Sequence, residues 1–174
     1  HSMGGLVVLS HILDHPDQAQ KVRGVLMSAP LLMPKADMSP LLQKLSGIMA
    51  RVAPRLKTIK LDVNEISRDP QERKNYMADP FIYHDGIYAA SGAQLLKQMK
   101  KCRTRFKSFS HPIIIQHSKD DQITEFEGSR QLIEHCISND KTMVELEEFK
   151  HEILKDIGHE KVLTKFSDWI LERL

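Results

Sequence analysis

Short apolar runs alternate with amphipathic stretches along the chain, and that alternation predicts its elements. Gly4 to Leu13 is an apolar, helix-compatible run, and the polar turn Asp14-His15-Pro16-Asp17 stops it. Lys21 to Met27 is short, rich in Val and Leu, and broken by Ser28-Ala29-Pro30, which reads as a buried strand. Gly86 to Lys100 spaces Ile87, Ala90, Leu95 and Met99 in a helical pattern and ends on basic residues that suit a helix C-terminus. Ile113-Ile114-Ile115 follows His111-Pro112 and reads as a central strand, because β-branched side chains favour a pleated, buried surface. Glu125 to Ile137 predicts a helix and Thr142 to Leu146 a strand. Lys155 to Leu174 predicts a last helix, with Ile157, Val162, Phe166, Trp169 and Ile170 turned inward. Strands alternating with helices imply right-handed crossovers and a parallel sheet, the mark of an α/β fold.

From Leu31 to Pro80 the alternation lapses. Met33, Met38, Met49 and Met77 lie among Pro34, Pro40, Pro54, Pro70 and Pro80, and short amphipathic helices such as Pro40–Val52 fit better than strands. The expected organisation is a core of residues 1–30 and 81–174 interrupted by a helical insertion, 31–80, with its own apolar surface.

Composition narrows the chemistry. Of 174 residues, 41% are hydrophobic and 28% charged, enough for a packed core and unlike a disordered, collagen-like or coiled-coil chain. The formal net charge of +2 calls for no nucleic-acid partner. Met3 to Leu13 is the longest uncharged apolar stretch and is too short to span a bilayer. Cys102 and Cys136 are too few for a disulfide framework, so a reducing, cytoplasmic setting is expected. His151-Glu152-Ile153-Leu154-Lys155 begins like a zinc-protease motif, but Lys155 stands where the second ligand belongs and His159 is out of phase. His11 and His15 have helical spacing but meet Pro16 and no third ligand. No metal and no cofactor is expected.

Three loops fall where a parallel sheet carries its functional groups, at the carboxyl ends of strands. Ser2-Met3-Gly4-Gly5 puts a hydroxyl on a sharp turn into a helix, where the Met3 N–H can face an oxyanion. Asp120 and Asp121 follow the Ile-rich strand, and His151 follows the last one. Singly, these residues read as a helix start, a turn or cap, and a surface histidine. Together, in the order Ser, Asp, His, they supply a hydroxyl nucleophile, a carboxylate to orient a base, and a base of near-neutral pKa.

The chain resembles the monoglyceride lipase branch of the α/β-hydrolases, also described as serine-aminopeptidase-like or lysophospholipase-like. The resemblance runs over HSMGG at 1–5, GVLMSAPLLMP at 24–34, NYMADPFIYHDGI at 75–87, IIIQHSKDDQIT at 113–124, NDKTMVELEEFKHEILKD at 139–156 and FSDWILERL at 166–174. It implies an α/β-hydrolase fold with a helical cap at 31–80, and cleavage of a fatty acyl ester of glycerol through an acyl-enzyme. Ser2 would be the nucleophile, His151 the base and the Met3 N–H an oxyanion donor. Ile123 sets the family register so that Asp121 matches the acid and Asp120 the variable place before it, while Ser118 replaces the usual Gly. The cap's Leu41, Leu42, Leu45, Ile48 and Met49, with Lys44 and Arg51 beside them, suggest a face for peripheral membrane contact.

The family's first strands, the glycine that opens its Gly-x-Ser-x-Gly turn and its second oxyanion donor are expected ahead of residue 1. The 174-residue chain alone is therefore expected to be a poor hydrolase. A lysophospholipase, a general carboxylesterase and a non-catalytic binding domain of the same fold are the competing readings.

Overall fold

Three parallel strands, β1 (Val25–Ser28), β2 (Ile113–Ser118) and β3 (Lys141–Leu146), lie side by side in the order β1-β2-β3. The computed structural model describes residues 1–36, 38 and 40–174, with only the backbone of Pro40, Leu42 and Lys44. Val25 pairs with Ile113 and Ser28 with Gln116, while Ser118 pairs with Leu146, so the strands end close together at their carboxyl ends. All six residues of β2 are buried, as the central strand of a sheet covered on both faces must be. Ile113 and Ile115 enter the larger core with Leu6, Leu9, Ile12 and Leu13 of helix α1 (Met3–Asp14). On the opposite face, Gln116 donates its side-chain amide to the Val162 carbonyl of the last helix.

A single turn, α2 (Pro16–Ala19), follows α1. The crossover from β1 to β2 carries α3 (Pro40–Val52), α4 (Pro70–Ala78) and α5 (Ala89–Arg103), and α6 (Phe126–His135) joins β2 to β3. The last helix, α7 (His159–Leu171), buries Val162 and Trp169. A smaller cluster of Leu146, Phe149, Ile153 and Val162 lies beneath the loop that bears His151.

Several boundaries differ from the pattern-based expectation. β1 begins at Val25 rather than Lys21: Val25 N donates to Pro112 O, and Pro112 has no N–H with which to extend the ladder. α5 begins at Ala89 rather than Gly86, because residues 85–88 turn back against 57–60. There Thr58 N donates to Ile87 O, Ile87 N donates to Ile59 O, and Gly86 takes a positive φ of 103°. α7 begins at His159 rather than Lys155, after Gly158 in the left-handed region. Ile157 and Ile170, expected to face inward, are exposed. On α3, Leu41, Leu45, Ile48, Met49 and Val52 are exposed, while the Leu42 and Lys44 side chains expected on the same face lie outside the described residues.

Gly5 is where α1 crosses the chain leaving β1. A Cβ there would stand 2.5 Å from Pro30 Cβ and 3.2 Å from Pro30 Cα, neither of which can yield by rotation. Gly5→Ala is therefore expected to destabilise the fold by about 1–3 kcal/mol despite alanine's better helix propensity. Urea denaturation followed through the emission of Trp169, the single tryptophan, measures this.

Candidate active site

Ser2 occupies the turn before α1 with φ 49° and ψ −126°, a conformation that costs an L-residue free energy. Backbone bonds hold it there. Ser2 N donates to Ser28 O at 3.1 Å, and Ser2 O accepts from Leu31 N at 2.9 Å and Gly5 N at 3.0 Å. The turn is thereby pinned to the end of β1, and α1 begins directly after it at Met3. Among the described residues, no hydrogen bond joins Ser2 Oγ to His151. The residue before Ser2, His1, does reach the histidine loop: its ring centroid lies 4.7 Å from that of His151.

Asp121 ends the turn after β2 and is 3% exposed. Its Oδ1 accepts from Ile123 N at 2.7 Å and Thr124 N at 3.0 Å. Its Oδ2 accepts from the Thr124 hydroxyl at 2.7 Å, from His151 Nδ1 at 2.8 Å and from His117 Nε2 at 3.2 Å. Burial acts to raise its pKa. The hydrogen bonds from His117 and His151, the charge of His151 and the Thr124 N–H outweigh burial and hold the carboxyl far below the usual carboxylate range. With Nδ1–H turned to Asp121, the His151 imidazole presents Nε2 as an acceptor, the tautomer that this network requires.

Asp120 is engaged elsewhere: its Oδ2 accepts from Glu148 N at 2.6 Å, at a residue with φ 66°. The neighbouring aspartates thus divide their contacts, Asp121 facing His151 and Asp120 clamping the turn after β3.

His117, Thr124 and Ser129 belong to the same network, and the sequence reading gave none of them a part. Ser129 of α6 lies 2.7 Å from His117 Nδ1, so its hydroxyl donates while His117 Nε2–H faces Asp121. His117 stands four residues before Asp121 at the end of a buried strand, and that spacing was the available signal.

His151 is held by residues 65–66 of the β1–β2 crossover. His151 N donates to Glu65 O at 3.1 Å and Glu152 N to Ile66 O at 2.8 Å, while Lys150 Nζ pairs with Glu65 at 2.7 Å. Asp156, buried, accepts from the N–H groups of Arg68 and Lys150 at 2.7 Å each, from Ile157 N at 2.8 Å and from Arg68 Nε at 3.0 Å. Among the described residues, no group of three His, Cys, Asp or Glu side chains is placed to hold a metal ion.

The model of a family described as serine aminopeptidase, S33, matches residues 1–158. The chain is 25% identical, over its whole length, to a monoacylglycerol lipase of Mycolicibacterium smegmatis, of which it covers 61%. It is 24% identical to the monoglyceride lipase of Rattus norvegicus and covers 57% of that protein. The crystal structure of Paleococcus ferrophilus monoacylglycerol lipase superposes with a TM-score of 0.88 at 30% identity, covering all of this chain and 67% of that one. A monoglyceride lipase from Saccharomyces cerevisiae, solved with a substrate analog, gives 0.84 at 22% identity, covering 99% and 60%. These neighbours give the chain the α/β-hydrolase fold, and it spans about 60% of the length of the Mycolicibacterium smegmatis and Rattus norvegicus relatives.

The Asp121 carboxylate has a depressed pKa, so its contribution to stability is complete above the unfolded value of about 4 and is lost as pH falls toward the folded one. Urea denaturation at pH 7 and pH 3 is expected to reveal less of this acid-dependent loss in Asp121→Asn than in the unsubstituted chain.

Proposed function

The chain belongs to the serine aminopeptidase S33 family, and we propose that within it Ser2, His151 and Asp121 form the catalytic triad of a serine esterase acting on monoacylglycerol. The observation that carries this reading is the buried Asp121–His151 pair, its His151 ring packed on that of His1, the residue before a serine on a strained turn at a helix start. The relatives named as monoacylglycerol or monoglyceride lipases support the choice of substrate.

The chemistry follows from the groups present. As Ser2 Oγ attacks the ester carbonyl carbon, His151 Nε2 takes the hydroxyl proton, and the ionised Asp121 steadies the resulting imidazolium. The oxyanion of the tetrahedral intermediate faces the Met3 N–H at the start of α1. When the intermediate collapses, the bond to the glycerol oxygen breaks and that oxygen receives the proton from His151, leaving the acyl group on Ser2. Water then attacks the acyl carbon while giving a proton to His151. Ser2 Oγ departs with that proton, and the fatty acid leaves.

In the intact protein that carries this chain, Ser2→Ala is expected to abolish both fluorophosphonate labelling and monoacylglycerol hydrolysis. Asp121→Asn should lower kcat by about 10⁴, the order seen when a triad acid is neutralised, whereas Asp120→Asn should change it about twofold. Comparing monoacylglycerol, lysophosphatidylcholine and p-nitrophenyl acetate as substrates separates a monoacylglycerol lipase from the competing esterases.

Peripheral membrane contact through α3 is part of the proposal. Leu41, Leu45, Ile48 and Val52 recur at helical spacing and are exposed, with Arg51 alongside, although no helix among the described residues is long and apolar enough to cross a membrane. Replacing Leu45 and Ile48 together by Asp should reduce flotation with phosphatidylcholine vesicles severalfold, and unchanged flotation would remove the membrane contact from the reading.

A further inference from the structure

His1 and Glu152 stand one residue before Ser2 and one residue after His151, and the chemistry above uses neither. Their side chains meet: His1 Nε2 lies 3.1 Å from Glu152 Oε1. The other ring nitrogen, His1 Nδ1, lies 3.0 Å from the Ser28 hydroxyl and 3.1 Å from the Ser28 carbonyl. The imidazole is therefore tethered on both edges, to the end of β1 and to the His151 loop. Its plane is tilted 48° to that of His151, at a centroid separation of 4.7 Å. Glu152 is itself fixed by its backbone, through Glu152 N to Ile66 O. Burial acts to raise its pKa, but the hydrogen bond from His1 and the charges of His1, His151 and Lys155 hold the carboxyl below its usual range, so the acceptor is ionised at neutral pH.

The Asp121 hydrogen bond sets the tautomer of His151 and anchors Nδ1, but one hydrogen bond leaves the ring able to roll about the Nδ1···Oδ2 line. The aim of Nε2 at a serine hydroxyl depends on that roll, and a misplacement of about 1 Å can cost about a hundredfold in rate. A second ring packed against the first limits it. We propose that Glu152, acting through His1, is a positioning residue that fixes the roll of the His151 imidazole and couples the serine turn to the histidine loop. The inference rests on the Ser2–His151–Asp121 reading. Neither residue touches the reacting atoms in it.

In the intact protein, Glu152→Ala is expected to lower kcat about tenfold while KM stays within about twofold, because the ground-state ester does not contact the pair. Glu152→Gln, whose amide oxygen still accepts from His1 Nε2–H, should recover most of that loss. Adding His1→Ala to Glu152→Ala should cost less than about twofold more, as two members of one unit are not additive. The downfield proton resonance of His151 Nδ1–H, read by NMR, should broaden in Glu152→Ala and sharpen again in Glu152→Gln. A kcat within twofold of the parent in Glu152→Ala overturns the proposal. So do losses that multiply in the double variant, or a Gln variant as slow as Ala. If the parent hydrolyses no ester and Ser2→Ala changes nothing, the triad reading fails. The His151 resonance then decides alone, and an unchanged signal in Glu152→Ala overturns the positioning role.

Discussion

A carboxylate buried just past the end of a fully buried strand takes up a proton unless donors surround it, and much of this structure is arranged around meeting that demand at Asp121. Five donors reach it, from three segments of chain: the strand end at His117, the turn at Ile123 and Thr124, and the distant His151 loop. Each donor is itself tied outward. His117 meets Ser129 of α6, and the Thr124 hydroxyl also lies 3.2 Å from Ala29 O at the end of β1. The docking of α6, the alignment of the strand ends and the approach of His151 are therefore one electrostatic problem with one solution. Removing a single donor leaves a buried charge undersatisfied, which costs more than the bond itself contributes.

The His151 loop lies beyond the sheet and takes its support from residues 65–68 of the β1–β2 crossover. Asp156 gathers the N–H groups of Arg68, Lys150 and Ile157 and the Arg68 guanidinium. Burial opposes its ionisation, and those donors outweigh burial and hold its pKa low. Residues 65–68 thus form a root of the crossover on which the His151 loop is mounted. A displacement of that root would be transmitted to His151 through backbone bonds, the stiffest connection available between two loops.

What was legible in the sequence was what rests on local pattern. Three isoleucines in a row marked the central strand, the apolar run after Ser2 marked α1, and an Asp after β2 and a His after β3 marked two loops that meet at Asp121 and His151. Element ends were misjudged where a long-range partner decides them. Pro112 limits β1 from the neighbouring strand, and residues 57–60 draw 85–88 out of α5. The inward side of α7 was only partly readable, since a periodicity of 3.6 extended through Ile157 assumes a helix that Gly158 has not yet allowed to begin. The choice between Asp120 and Asp121 could be ranked by register alone. The reason for the difference, a turn after β3 that needs an acceptor for Glu148 N, exists only once the chain is folded.

That last contact points to a regularity in how the site is assembled. Among the described residues, three non-glycine residues adopt positive φ: Ser2 before α1, Ala29 directly after β1, and Glu148 two residues after β3. All three lie at the carboxyl edge of the sheet, and each conformation costs about 1–3 kcal/mol. Each is held by a bond to a neighbouring segment: Ser2 N to Ser28 O, Ala29 N to Gln116 O, Glu148 N to Asp120 Oδ2. Regular strand exits would carry the chain away from the sheet in extended form. The strained residues turn it sharply: Ser2 at the start of α1, Ala29 after β1, and Glu148 after β3, at the head of the loop that brings His151 to Asp121. Strain confined to one edge, with the restraints supplied by the adjoining strands, accompanies the meeting of His151 with Asp121, 30 positions apart in sequence, and of His1 with the His151 ring.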